Sequence, residues 1–286
     1  MRRTAALCFS LLTRCADPAV RALDAAAPDD RTVTNDRADG AAADGGLRAL
    51  PVVPLGGDAY RMWEALPTVR VGDRAYLRST FDRAGGNHAV DASHFIRAER
   101  DDFYVSLDVA GPGALVFVRT NHWHGSPWHY VVDGADRVVT ETSTADPTRP
   151  VEGSVFEPAA LFPRPLTETW SVTRGADLNW VPIAFERSLQ LAYGRTHYGT
   201  GYYMFHRYAE GADHLSRPLR AWDRSPPDPA ALALLRGAGG ELTPRAPGVT
   251  VREGAVAALT GPRTEVVTLT GGPAALRMLR FSVPAA

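Results

Sequence analysis

Short alternating runs of apolar and polar residues dominate the chain from about residue 102 onward. These runs are rich in Val, Tyr, Phe and Thr and are separated by Gly, Pro, Asn and Asp, which is typical of antiparallel strands. Their spacing, without long helices between them, favours an all-β fold, a jelly-roll β sandwich, over a parallel sheet. The predicted strands are 102–109, 114–120, 128–134, 137–143, 168–173, 189–194 and 202–208.

Two short helices are predicted beside these strands. Asp58 is placed to cap a helix over 58–66, which a proline directly after it would stop. A second helix is predicted at 229–236, because Asp228 is a good N-cap, a proline occupies the first helical position and Gly237 follows the last one.

A weak internal repeat separates the predicted sandwich from the end of the chain. Residues 105–119 (VSLDVAGPGALVFVR) and 266–280 (VVTLTGGPAALRMLR) share a Val, the Gly-Pro pair, Ala-Leu and the final Arg. Chance similarity between two Gly-Pro turns that feed apolar strands is the alternative. We predict one jelly-roll domain at 58–223, followed at 224–286 by a linker helix and a truncated second β unit.

The beginning of the chain has a different composition. Residues 1–22 combine Arg2 and Arg3 with a short apolar run and Cys15, which is similar to a secretory or lipoprotein leader. Residues 23–57 are mostly small and acidic and lack periodicity, so we predict a flexible linker. We therefore expect an exported protein, periplasmic or surface-anchored. A ragged cytosolic N-terminus is the alternative.

Charge and composition exclude several classes of function. The 31 basic residues are all arginines and face 32 acidic residues, so the net charge of −1 gives no reason to expect nucleic acid as a partner. The absence of lysine excludes Schiff-base chemistry and a phosphate-loop lysine. No apolar run approaches the roughly 20 residues of a membrane span, so none is predicted.

One segment of unusual polar density is the first candidate site. Residues 79–87 (STFDRAGGN) offer Asp82, Arg83 and Asn87, and Asp91 follows shortly after. A Gly-Gly pair within the segment lets the backbone approach a ligand closely. Carboxylate, guanidinium and amide groups together match the hydroxyls of a sugar, and we predict that these four residues bind substrate. The alternative is an Asp–Arg ion pair that braces a turn.

A second candidate is the His- and Trp-rich run at 121–129. On a strand, His122 and His124 point to the same face, as two metal ligands of a cupin-like protein would. No glutamate follows at short spacing, so we predict no metal and no cofactor, and a cupin-like metalloprotein is our third hypothesis. Trp123 and Trp128 are suited to stacking on sugar rings or to simple packing. We include Trp123 among the substrate-binding residues.

Six motifs in order resemble a known family. They are LPTVR (66–70), STFDRAGGN (79–87), LDVAGPG (107–113), VDG (132–134), FPRPL (162–166) and GYY (201–203). This succession resembles the domain family catalogued as domain of unknown function 2961. That family is also treated as glycoside hydrolase family 172, which comprises retaining α-D-fructofuranosidases and difructose dianhydride synthases. The resemblance runs from about residue 60 to residue 208, with a weaker continuation to residue 286.

The resemblance implies a double jelly roll that assembles into trimers or hexamers. It also implies a retaining mechanism with two glutamates, whose carboxyl groups would lie about 5–5.5 Å apart. The family's glutamates belong to an Glu-Gly-Asp and a Gly-Thr-Gly-x-Glu-Asp segment of the second jelly roll, and neither segment occurs in this sequence. We therefore assign no catalytic residue and expect no autonomous hydrolase activity.

These observations lead to the following expectations about function. The chain is carbohydrate-active by descent and has a fructose-containing glycan as the expected partner. A noncatalytic sugar-binding or assembly module is the alternative. Apolar side chains near the end of the chain, such as Leu269 and Phe281, need burial, and exposed edge strands favour pairing, so we also expect a homo-oligomer.

Overall fold

In the computed structural model, the described part of the chain begins at residue 49. It covers residues 49–62, 65, 67–85, 94–121, 126–143, 148–194, 200–240, 249–256, 262–271, 274, 276 and 278–282. The predicted leader (1–22) and most of the predicted linker (23–57) lie outside this part. The domain boundaries drawn from the sequence therefore stay predictions.

Twelve strands form two antiparallel sheets in the described part of the chain. The all-β prediction is thereby confirmed. The strands are β1 (Asp73–Ser79), β2 (Arg97–Arg100), β3 (Phe103–Ala110), β4 (Gly113–Asn121), β5 (Trp128–Val132), β6 (Ala135–Glu141), β7 (Phe156–Glu157), β8 (Thr167–Glu168), β9 (Asp177–Asn179), β10 (Ile183–Phe185), β11 (Ser188–Tyr193) and β12 (Thr200–Tyr208).

The chain passes repeatedly from one sheet to the other. Sheet I has the order β1-β12-β4-β9-β8, and β10 also pairs with β4. Sheet II has the order β2-β3-β11-β5-β6-β7. Strands that are neighbours in sequence, such as β3 and β4 or β11 and β12, thus lie in different sheets. Crossing connections of this kind are typical of the two Greek keys of a jelly roll. The order favours our jelly-roll interpretation of the sandwich.

The core lies between the two sheets because alternate side chains of each strand point inward. Along β5, Trp128, Tyr130 and Val132 are buried, while the residues between them are half-buried. They join one apolar cluster that also contains Leu191 of sheet II and Phe205 of sheet I. A cluster drawn from both sheets makes the molecule a sandwich.

The second predicted helix is confirmed. Helix α2 (Pro229–Arg236) begins after Asp228, whose carboxylate accepts from the Ala230 N–H at 2.8 Å, and Gly237 follows its end. Its residue Leu232 is buried in the main core cluster. The helix therefore packs against the sandwich through its apolar side.

The first predicted helix takes a different form. A short 3₁₀ helix (Gly56–Tyr60) contains Asp58 instead of being capped by it. The Asp58 carboxylate is buried and accepts from the hydroxyl of Ser216 and from the guanidinium groups of Arg61 and Arg217. Ser216 and Arg217 lie far along the chain from Asp58, and their contacts occupy its carboxylate. These tertiary contacts replace the predicted capping role.

The predicted strand at 168–173 is wrong. Only β8 is extended there, and it is followed by the one-turn helix α1 (Trp170–Thr173). The Asp177 carboxylate accepts from the Trp170 N–H at 2.8 Å and so satisfies a free donor of that helix. Arg174 ends the helix in the left-handed region with a φ of 62°. A contact with Asp177 in the next strand thus overrides the strand propensity of Trp, Val and Thr.

Segments at both ends of the domain cover part of the outer face of sheet I. Val53 forms a parallel bridge with Leu215, and its N–H donates to the His214 carbonyl at 2.9 Å. Val53 and Leu55 are buried together with Tyr208 of β12. The packed body therefore extends to residue 53 at its amino-terminal side.

The described residues between 249 and 282 contain no strand and no helix. Several of their apolar side chains are exposed, including Leu269, Leu276, Leu279 and Phe281. The truncated second β unit stays a prediction. No helix in the described part of the chain is long and apolar enough to cross a membrane.

Candidate functional site

Strand ends from both sheets meet at one end of the sandwich, which we call the polar end. There the ends of β1, β4, β6 and β11 lie beside the beginnings of β3, β5, β9 and β12. Thr80 connects the end of β1 to the beginning of β12. Its N–H donates to the Gly201 carbonyl at 3.1 Å, and its hydroxyl accepts from the Gly201 N–H at 2.9 Å. The described part of the polar end comprises residues 79–85, 120–121, 126–128, 141–143, 177 and 200–201.

The predicted residues Asp82 and Arg83 lie in a turn just after β1, at the polar end. The Asp82 carboxylate accepts from the Ala84 N–H at 2.9 Å, and the Gly85 N–H donates to the Asp82 carbonyl at 3.1 Å. Asp commonly makes such a bond two residues ahead and thereby nucleates a turn. Gly85 has a φ of 76°, which glycine adopts without steric cost. Gly85 therefore has a local structural role, whereas the second glycine of the pair lies outside the described residues.

Arg83 braces this turn through backbone carbonyls. Its guanidinium group donates to the carbonyl of His94 at 3.2 Å and to that of Phe81 at 3.4 Å. The same group lies 4.9 Å from the centre of the Phe81 ring, whose residue is 49% exposed. Asp82 and Arg83 form no ion pair in the described part of the chain, and an Asp91–Arg83 pair, which the predicted alternative also allows, involves a residue outside that part. Phe81, which our sequence analysis did not select, joins the candidate site as an exposed aromatic ring.

Several predicted residues lie outside the described part of the chain. They are Asn87, Asp91, His122, Trp123 and His124. Trp128, from the same His- and Trp-rich run, is buried and stacks on Phe156 with ring centres 5.4 Å apart. For Trp128 the packing alternative is therefore correct. His129 points to the other side of β5, and its Nδ1 lies 2.7 Å from the carboxylate of Asp136.

Sequence reasoning missed a buried acidic group just inside the polar end. Asp177 at the start of β9 is 4% exposed, and Glu141 at the end of β6 is also buried. Burial raises the pKa of Asp177 well above its usual value, and the charge of Glu141 raises it further. The Nε1 of the buried Trp128 has no hydrogen-bond partner in the described part of the chain. At any given pH, Asp177 is therefore protonated to a greater extent than an exposed aspartate.

This acidic group lies in a closed part of the core. Asn179 donates to the Tyr130 hydroxyl at 3.3 Å and accepts from the Val181 N–H at 2.8 Å. Burial also raises the pKa of Tyr203, to about 12. The space between Trp128, Tyr130, Asp177 and Asn179 is too small for a water molecule. Because water does not reach it, this cluster is not an open active site.

The opposite end of the sandwich carries a groove of about 380 Å³. Its floor includes Pro112, Leu215 and the ring of Tyr208, and its rim includes Glu186 and Arg220. A guanidinium nitrogen of Arg220 lies 3.8 Å from a carboxylate oxygen of Glu186. The volume suits a small ligand, but Asp82 and Arg83, the described residues among those selected from the sequence, lie at the other end.

The glutamates near the sheets are engaged in local contacts. Glu157 accepts from the Thr140 hydroxyl at 3.2 Å, and Glu168 lies 3.1 Å from the guanidinium group of Arg164. Glu141 accepts from the Ser143 N–H at 2.5 Å. Each of these contacts is explained by the packing of its own loop or strand. In the described residues, no three His, Cys, Asp or Glu side chains are placed to hold a metal ion.

The chain matches no protein-family model and no curated protein. The function is therefore argued from the geometry of the polar end and from the resemblance seen in the sequence.

Proposed function

We propose that this chain is a carbohydrate-binding β sandwich of fructofuranosidase-like descent that does not hydrolyse glycosides by itself. The observation that carries the proposal is the exposed turn after β1. There an exposed aromatic ring (Phe81) lies 4.9 Å from an exposed guanidinium group (Arg83), and the half-buried Asp82 adds a carboxylate to the same turn.

These three groups match the chemistry of a sugar. One face of a sugar ring presents C–H groups, which pack on an aromatic face such as that of Phe81. Its hydroxyls donate to a carboxylate and accept from a guanidinium group. Both Arg83 and Asp82 are already held in the turn by backbone bonds. The orientations of these groups are therefore already restricted, so that binding a sugar would cost little side-chain entropy.

The proposed lack of hydrolysis rests on the carboxylates. A retaining glycosidase needs two carboxyl groups about 5–5.5 Å apart, one on each side of the scissile bond. In the described part of the polar end, Asp82 lies in the turn after β1, whereas Asp177 and Glu141 are buried, and the space beside Asp177 is too small for a water molecule. A buried pair of this kind supports a structural role, since hydrolysis requires water beside the sugar.

The family relationship and the cellular location are part of the same proposal. The ordered motifs from LPTVR to GYY support descent from glycoside hydrolase family 172, and a fructose-containing glycan is the partner that this descent favours. The leader-like pattern of residues 1–22 supports export to the periplasm or cell surface.

Isothermal titration calorimetry with inulin tests sugar binding. We expect Phe81→Ala and Arg83→Gln each to weaken binding by about tenfold or more, which corresponds to about 1.4 kcal/mol. Arg220→Gln is the matched control, because its side chain is also exposed but lies at the opposite groove. Binding that is lost in Arg220→Gln and kept in Phe81→Ala would place the sugar in that groove and overturn the proposed site.

Incubation with an aryl α-fructofuranoside tests the catalytic part of the proposal. We expect no turnover by the purified full chain. Turnover that Glu141→Gln abolishes would show that the buried acidic group is catalytic and that the chain is an enzyme.

A further inference from the structure

Strand β1 lies at an open edge of sheet I. It pairs with β12 over all seven of its residues, and no strand lies on its other side in the described part of the chain. An edge strand of this length, without a bulge or a proline, presents free N–H and carbonyl groups to another strand. Natural sheets rarely leave such an edge uncovered.

Two side chains of this edge, those of Leu77 and Arg78, are exposed. Leu77 is 59% exposed and lies beside Met204 of β12, which is 44% exposed. Arg78 places its guanidinium group 5.2 Å from the centre of the Tyr76 ring, and among the described residues that group donates only to the carbonyl of Leu77. The edge therefore combines an exposed apolar side chain with a cation that no carboxylate of the described residues neutralises.

A segment near the end of the chain also exposes apolar side chains. Residues 264–270 (TEVVTLT), which we call the tail segment, are rich in β-branched residues and contain no glycine or proline. Its apolar side chains are exposed: Val266 by 37%, Val267 by 40% and Leu269 by 58%. Its backbone passes close to Gly254, and none of its residues belongs to a strand or a bridge in the described part of the chain. Within the segment, the Thr268 hydroxyl donates to the Glu265 carboxylate.

One antiparallel register makes the tail segment complementary to β1. With Glu265 opposite Arg78, an acidic side chain faces the unpaired cation, and Val267 falls opposite Tyr76 on the same side of the sheet. On the other side of the sheet Val266 falls opposite Leu77. Opposite charges and aromatic–β-branched pairs are favourable cross-strand neighbours. Both segments have seven residues, so the register uses the full length of each.

We propose that the tail segment of one copy adds to β1 of a second copy as an antiparallel strand. A second copy is the occupant because the tail segment of the same chain lies unpaired beside Gly254 instead of on β1. Main-chain hydrogen bonds supply the pairing, and Glu265 with Arg78 fixes the register. The inference is independent of sugar binding and names the surface through which the chain forms a homo-oligomer.

Charge reversal with analytical ultracentrifugation of the full chain tests this pairing. We expect the wild-type protein to associate in the micromolar range and Arg78→Glu and Glu265→Arg each to weaken association about tenfold or more, since like charges then face each other. Mixing the two single variants should restore association, because each tail segment then meets the complementary strand of the other variant.

Arg74→Glu is the matched control, because Arg74 also lies on β1 but faces Leu269 in the proposed register. Association by Arg74→Glu should equal that of the wild type. If Arg74, and not Arg78, proves to be coupled to Glu265, the proposed register is wrong. A monomeric wild type across the micromolar range, or a mixture that fails to associate, would overturn the proposal.

Discussion

The buried Asp58 should stabilise the fold through its charge. Its carboxylate lies on the 3₁₀ helix, is 5% exposed and accepts from Ser216 at 2.6 Å, from Arg61 at 2.7 Å and from Arg217 at 2.8 Å. Hydrogen bonds, first of all that from Arg217, hold the pKa of Asp58 down to about 2, against an ordinary value of 3.8. Asp58→Asn removes the charge and turns an amide donor toward two guanidinium groups.

The size of the effect follows from the pKa. A fall from 3.8 to about 2 corresponds to about 2.4 kcal/mol of folding free energy, at about 1.4 kcal/mol per pH unit. Because the folded-state pKa lies below the unfolded one, this stabilisation is present above about pH 4 and is lost as the pH falls toward 2. We expect Asp58→Asn to lower the free energy of unfolding by about 2–3 kcal/mol at pH 7 and by much less near pH 2.

Urea unfolding of both proteins at pH 7, 4 and 2.5 measures this difference. Asp223→Asn is the matched control, since that carboxylate is exposed and its bonds to Ser225 are local; its effect should be small at every pH. A loss caused by Asp58→Asn that is the same at pH 7 and pH 2.5 would refute the reasoning, because the loss would then come from packing and not from the charge.

Two further predictions concern Asp177 and Asp228. Since burial raises the pKa of Asp177, the stability of the wild type should fall as the pH rises toward that pKa. Asp177→Asn keeps the acceptor for the Trp170 N–H. This variant should therefore be at least as stable as the wild type at pH 8. Thermal melts from pH 5 to pH 9 measure this, and a variant that melts well below wild type at pH 8 would contradict it. Asp228→Ala removes the N-cap of α2 and a 3.1 Å contact with Arg61, so it should cost about 1–2 kcal/mol in urea unfolding. Asp228→Asn should keep most of the stabilisation that the N-cap gives. Arg61 bonds to both Asp228 and Asp58. The losses of unfolding free energy caused by changing the two aspartates should therefore not be additive.

The local pattern of the sequence determined the central strands and α2. β3, β4, β5, β6, β11 and β12 each fall within or overlap a predicted run, because a strand with one face in the core alternates apolar and polar residues. α2 was predicted with its bounds, since its cap, its first-turn proline and the glycine after it all act within one segment. The turn at Asp82 is likewise local, because an Asx turn is made by neighbouring residues.

Other elements were decided only by tertiary structure. β1 (DRAYLRS) shows little apolar alternation because it is an edge strand, and its extended form depends on seven backbone pairs with β12, far along the chain. The helix α1 formed where a strand was predicted, because Asp177 supplies an acceptor from the next strand.

The candidate site also combines features that the sequence predicts with features that only the tertiary structure decides. The sequence indicated Asp82 and Arg83 through the density of polar groups, but the exposure of Phe81 beside Arg83 and the burial of Asp177 beside Glu141 depend on how strand ends from two sheets meet. Functional groups that lie close together in the sequence can be predicted from the sequence. Burial, and the pKa that follows from it, belongs to groups that only the folded chain brings together.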